Sequence, residues 1–250
     1  MYTQEQILFI AGNAAEIMLR NGGETYRVEE MVDYMCRSAG MRYIEPFVTP
    51  TGIMISVNNK NEPSLATVRR VRLRTINLNK VSEINNFSRR IARGELGYEE
   101  ARAELERIDG DKNTYSNLTV FLATAIIAGS AAIFFQGSYR DFFPSFTVSL
   151  IMQIIIFYSY IKDINFFSDF IGGFLAGSLS IVFVSLGFGE NLEQIIIGAI
   201  IPLVPGVAIT NGIRDAIKGE LVSGMTRSFE ALWVSIAIAS GVAASFYIFG

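Results

Sequence analysis

Two different spacings of hydrophobic positions divide this chain. Over residues 4 to 20, Ile7, Ile10, Ala11, Ala14, Ile17 and Met18 recur at helical spacing, which predicts an amphipathic helix stopped by Gly22-Gly23. Thr25 reads as the N-cap of a second helix whose stripe is Val28, Met31, Val32, Met35, Cys36 and Ala39, with Glu29 and Glu30 near its positive end. The period then falls to two. Ile53, Ile55 and Val57 alternate with Met54, Ser56 and Asn58, after an extended stretch from Tyr43 to Val48 and a Thr49-Pro50-Thr51-Gly52 turn. Residues 65 to 75 predict a third strand carrying Arg70, Arg72 and Arg74 on one face, most simply a solvated one. Helices near 79–93 and 98–109 complete an α+β domain over residues 1–112.

Beyond it the polar half of the pattern disappears. Apolar stretches at about 115–135, 142–161, 168–188, 193–213 and 230–250 are each long enough to cross some 30 Å of hydrocarbon. The expected fold is an α-helical integral membrane protein, with five transmembrane helices in residues 113–250 and an N-terminal cytoplasmic α+β domain. Composition agrees: half the residues are hydrophobic, 18% are charged, and mean hydropathy is +0.35. Of the 21 Lys and Arg, 16 fall between Arg20 and Lys112, leaving Arg140, Lys162, Arg214, Lys218 and Arg227 for the remainder. The first twenty residues lack the basic and apolar regions of a signal peptide, so the front is expected to stay inside. Lys162, Arg214, Lys218 and Arg227 then fall in inner loops, as the positive-inside rule requires, and the C-terminus lies outside the inner membrane.

The residue inventory excludes much chemistry. With no His and only Cys36, the usual zinc and haem ligand sets, Ser-His and Cys-His dyads and an intrachain disulfide cannot be built. Cys36 lies on an apolar helix face and reads as core. Neither GxxxxGK nor GxGxxG occurs, so ATP hydrolysis is not expected. A net charge of -3 without a basic tail gives no footprint for nucleic acid. The sequence therefore predicts no enzyme, no cofactor and no metal, and a chain embedded in lipid.

The fourth apolar stretch holds the densest candidate chemistry. Pro202 and Pro205 free the carbonyls of Gly198 and Ile201, and Gly206 follows. Such a break is either a packing kink or the wall of a solute path, because freed carbonyls in lipid must line a cavity or be covered by protein. Asn211, Arg214, Asp215, Glu220, Arg227 and Glu230 come next, flanked by Gly212, Gly219 and Gly224. Arg could receive a carboxylate bidentately, while an acid could take an ammonium group or carry a coupling proton. Equally, Arg214 could snorkel, and Arg227 and Glu230 could be an i,i+3 helix pair. Gly173 and Gly177 suit close helix packing, Gln153 suits a position facing protein or a pore, and Asp141 and Asp169 suit interfaces better than a proton relay.

These residues also resemble a known family. Pro202 to Gly206 (PLVPG), Arg214-Asp215, Gly219-Glu220, Ser223-Gly224, Arg227 and Glu230-Ala231 look like the signature of the threonine/serine exporter family. Asn21 to Arg27 and Val48 to Gly52 are similar to that family's N-terminal motifs. The resemblance implies export of threonine or serine, with proton coupling. Because the sequence stops at Gly250, it also resembles the larger subunit of a split exporter, a type linked to succinate, whose small membrane partner supplies the second module. Identical copies could instead assemble together. Glu24, Thr25 and Arg27 are expected at a cytoplasmic gate, or in a simple turn between helices. The competing reading is a membrane-anchored sensor or scaffold without transport activity.

Overall fold

The computed structural model describes residues 2–59, 63–72, 75–111, 115–159 and 165–250; Arg74 and Lys162 lie outside them. The elements are α1 (Gln4–Arg20), α2 (Thr25–Ser38), β1 (Tyr43–Thr49), β2 (Gly52–Asn58), β3 (Leu65–Arg70), α3 (Leu78–Ala92), α4 (Tyr98–Gly110), α5 (Asn117–Phe134), α6 (Phe142–Tyr158), α7 (Asn165–Ser185), α8 (Leu192–Ile200), α9 (Gly206–Ile217) and α10 (Leu221–Phe249). They fall into two compact units, one of residues 1–112 with 207–228, the other of 113–206 with 229–250.

In the first unit, α1 opens on a capping box, in which the Thr3 hydroxyl accepts from the Gln6 N–H and the Gln6 side chain accepts from the Thr3 N–H. Its apolar stripe and that of α2 meet the inner face of an antiparallel sheet in the order β1-β2-β3. The pleat assigns the faces: Ile53, Ile55 and Val57 of β2 are buried, whereas Met54, paired with Phe47 and Val68, is exposed. Cys36 is fully buried among these residues, and burial pushes its thiol up to about 12. The third strand is shorter than the sequence suggests, ending at Arg70.

The helix boundary at Thr25 needs correction. The N-cap of α2 is Glu24, in extended geometry and without a side-chain cap, and Thr25 is the first helical residue. Gly22 before it has φ +97°, a conformation that only glycine adopts cheaply.

Among the described residues, four helices are long and apolar enough to cross a bilayer, or five if the bent pair α8 and α9 counts as one span. The fourth stretch does break at its prolines: α8 ends at Ile200, a short 3₁₀ turn holds Ile201–Leu203, and α9 starts at Gly206. α10 begins at Leu221, well before the expected start of the last span, so Arg227 and Glu230 belong to one continuous 29-residue helix. Close packing of α7 on α10 follows the small residues. A Cβ at Gly173 would meet the Ile238 carbonyl, and one at Gly177 would meet the Ser245 hydroxyl. Gln153 is half-buried and donates to Ser149 on its own helix. Asp169 sits within α7 and is half-buried.

Asp141 has a structural task. It is fully buried and accepts from the N–H of Ser138 (2.7 Å), Glu190 (2.7 Å) and Asn191 (3.1 Å) and from the Asn191 side chain (2.8 Å). One carboxylate thus ties the α5–α6 connection to the α7–α8 connection.

Candidate functional site

The polar cluster forms inside the first unit, where 207–228 packs on α2 and β1. Gly219, at φ +97°, turns the chain from α9 into α10. The two helices then approach at glycine distance: a Cβ at Gly224 would sit 2.9 Å from the Gly212 carbonyl oxygen. This close approach brings Arg227 of α10 against Asp215 of α9, Nε to Oδ2 at 3.2 Å. Both are buried, with 7% and 0% of their side chains exposed.

The pair reaches the Gly22-Gly23-Glu24-Thr25 segment through backbone and side-chain polar groups. The Thr25 N–H donates to Asp215 Oδ1 at 3.1 Å, so a carboxylate from α9 supplies the cap that α2 lacks on its own. Arg227 Nη2 donates to the Gly23 carbonyl at 2.9 Å, and Asn211 Nδ2 donates to the Gly22 carbonyl at 2.9 Å. Arg214 Nη1 donates to Glu24 Oε1 at 2.8 Å, while Arg27 holds the other Glu24 oxygen at 3.4 Å. Lys218 lies over the Tyr26 ring, 5.3 Å from its centroid.

The roles of these groups divide by exposure. Asp215, Arg227 and Asn211 are buried and committed to backbone or to each other. Arg214 and Arg27 are open to solvent, with 56% and 44% of their side chains exposed around the buried Glu24. Burial pushes the Glu24 carboxyl up, but its backbone N–H, Arg214 and Arg27 together hold it below the usual carboxylate value. An arrangement of two accessible guanidiniums sharing one carboxylate can exchange that carboxylate for another anion.

Of the residues singled out in the sequence, Asn211, Arg214, Asp215 and Arg227 therefore converge with Glu24, Thr25 and Arg27. Glu220 is half-buried beside them, its N–H donating to the Asp215 carbonyl at 2.9 Å. Pro202, Pro205, Gly206 and Glu230 belong to the other unit. Two members named in the sequence for other reasons, Glu29 for the helix dipole and Ser223 for the family signature, prove to be part of the cluster. Glu29 accepts from the Val48 N–H at 2.7 Å, and Ser223 donates to the Val48 carbonyl at 3.3 Å, so the strand before the Thr49–Gly52 turn joins the same cluster. Glu29 had looked like a helix-dipole residue, since nothing local marks a contact 19 residues away. Among the described residues no group of three or more His, Cys, Asp or Glu is placed to hold a metal.

Residues 10–249 match the family model of the threonine/serine exporters. The chain belongs to the threonine/serine exporter family. Members of this family are transporters rather than enzymes. The "Threonine/serine exporter" of Corynebacterium glutamicum is 24% identical over 94% of this chain, which spans only 50% of that protein. The "Probable succinate transporter subunit YjjP" of Klebsiella aerogenes is 24% identical over 99% of this chain and 95% of its own length. Its namesake in Escherichia coli (strain K12) is 25% identical over 93% of this chain and 91% of its own. No solved structure matches. With its apolar helices, this threonine/serine exporter family member is an integral membrane protein.

Proposed function

We propose that this chain is one subunit of a secondary exporter that moves a small polar metabolite out of the cytoplasm in exchange for protons, with a small membrane protein as its second module. The observation that carries the reading is the convergence of two family-like motifs on one cluster, Arg214, Asp215 and Arg227 against Gly22 to Arg27. The solute class follows from that chemistry: a carboxylate-bearing molecule, either threonine and serine or a dicarboxylate such as succinate, displaces Glu24 from Arg214 and Arg27. Residues 1–112 form the cytoplasmic α+β domain and 113–250 the membrane domain, with five spans, in the inner membrane, and the C-terminus outside. Pro202, Pro205 and Gly206 are assigned to the solute path by the break they make in the fourth apolar stretch, and Glu24, Thr25 and Arg27 to a cytoplasmic gate. The printed name of the Klebsiella relative, a transporter subunit, supports the partner.

The test is efflux of labelled threonine, serine and succinate from proteoliposomes containing the purified chain, with and without the small membrane protein encoded beside it. Efflux that requires both proteins is expected. No efflux of any of the three in either preparation would favour the anchored sensor or scaffold and defeat the exporter reading.

A further inference from the structure

Proton coupling needs a group that changes protonation as the transporter changes state, and Asp215 is poorly suited to it. Burial pushes its carboxyl up, but both of its oxygens are already committed, Oδ2 to Arg227 and Oδ1 to the Thr25 N–H. Glu29 is placed differently. It lies one turn further along α2, half-buried, and its carboxylate meets the Val48 N–H of β1 at 2.7 Å. Among the described residues no arginine or lysine pairs with it. The charges that face it are acidic: Asp215 from α9 and Glu220 from the turn ahead of α10. On its own helix, Glu24 is already taken by Arg214 and Arg27. From α10, Ser223 grips the carbonyl of the same Val48 whose N–H Glu29 holds. Glu29 thus sits where residues 207–228 close over α2 and β1, and two of the acids that surround it arrive on that segment.

We propose that Glu29 is the proton-binding residue of this element: it takes a proton from water when residues 207–228 seat on α2 and β1, and returns it when they lift away. Its use in transport rests on the exporter reading, whereas its titration does not. Burial, with the charges of Glu220 and Asp215 added, pushes the Glu29 carboxyl up to about 7, against the lowering effect of the Val48 N–H. The sign follows from linkage. A raised carboxyl value means that the seated state binds the proton more tightly than the lifted state. Seating is therefore unhindered in acid and increasingly disfavoured as pH rises from the ordinary carboxylate value of 4.5 to about 7. Coupling of the proton to the seating movement is reciprocal, so anything that drives seating also drives proton uptake.

Two measurements on the full chain in lipid separate this inference from the exporter reading. Infrared difference spectra between acid and alkaline pH should show a protonated carboxyl band titrating near 7 that is absent in Glu29→Gln. In Glu220→Gln, which removes one repelling charge, the midpoint should move to lower pH. A near-neutral band that persists unchanged in Glu29→Gln would overturn the proposal, as would an unmoved midpoint in Glu220→Gln. In proteoliposomes with the partner, wild-type efflux should change roughly tenfold between pH 6 and 8, as the protonated fraction of a group titrating near 7 does, and Glu29→Gln should flatten that dependence. A pH dependence identical in Glu29→Gln would also refute it. A wild-type chain that titrates as described but moves no solute would sink the exporter reading and leave the proton site standing.

Discussion

Replacing Arg227 by Met removes the charge from a buried pair while keeping most of the side-chain volume. Asp215 is fully buried and Arg227 nearly so, 3.2 Å apart, so the substitution strands a carboxylate whose remaining side-chain support includes the Thr25 N–H at 3.1 Å. It also frees the Gly23 carbonyl, which accepts from Arg227 Nη2. Breaking one side of a buried ion pair costs about 3–5 kcal/mol, because the other charge stays desolvated. The Thr25 amide reports the loss directly. Its hydrogen bond to Asp215 must open before it exchanges, so its exchange should accelerate by roughly two to three orders of magnitude, at about 1.4 kcal/mol per tenfold. Hydrogen exchange with mass analysis of peptides covering residues 22–30 provides the assay. Asp215→Asn combined with Arg227→Met should exchange more slowly than Arg227→Met alone, since no stranded charge remains. Exchange in Arg227→Met within about twofold of wild type would refute the reasoning, because a pair held out of water cannot lose one member at no cost.

The other predictions concern separate features. Arg214→Ala should leave Thr25 exchange and thermal stability nearly unchanged, because more than half of the Arg214 side chain is already exposed, while efflux falls; a drop in stability like that of Arg227→Met would assign Arg214 to the scaffold. Asp141→Asn should lower stability by about 2–3 kcal/mol, seen as a reduced unfolding midpoint in detergent, since an amide cannot accept the four hydrogen bonds that the carboxylate takes. Gly173→Val should destabilise the α7–α10 contact by about 1–3 kcal/mol in the same assay, for the added carbons meet the Ile238 backbone; an unchanged midpoint would mean that the helices are not packed there.

Most elements were legible because each has its own period. The stripes of α1 and α2, the alternation of β2 and the apolar runs of α5 to α7 appear at nearly the residues where the helices and strands lie. The proline break was legible too, since Pro202 and Pro205 remove donors that a continuous helix requires. The start of α2 was misplaced by one residue because its cap comes from Asp215, 190 residues away, and no local rule reports such a partner. The same limit applies to the site. Its members could be named from the densities of charge and glycine, but their division of labour could not. Burial makes Asp215 and Arg227 a structural pair and leaves Arg214 and Arg27 open, and burial is a property of the assembled unit. The tasks of Glu29 and Ser223, though both residues had been named, were not legible for that reason: both bond the Val48 main chain, which has no side-chain signature.

If the motif before α2 and the α9–α10 segment act as one element of an exporter, a charge swap across Arg214 and Glu24 should reveal it. Efflux of the transported solute would be measured from proteoliposomes holding the partner with Arg214→Glu, Glu24→Arg, or both. Each single change places like charges together and should abolish efflux, and the double change should restore a substantial part of it. Wild-type efflux in both single variants would contradict the account.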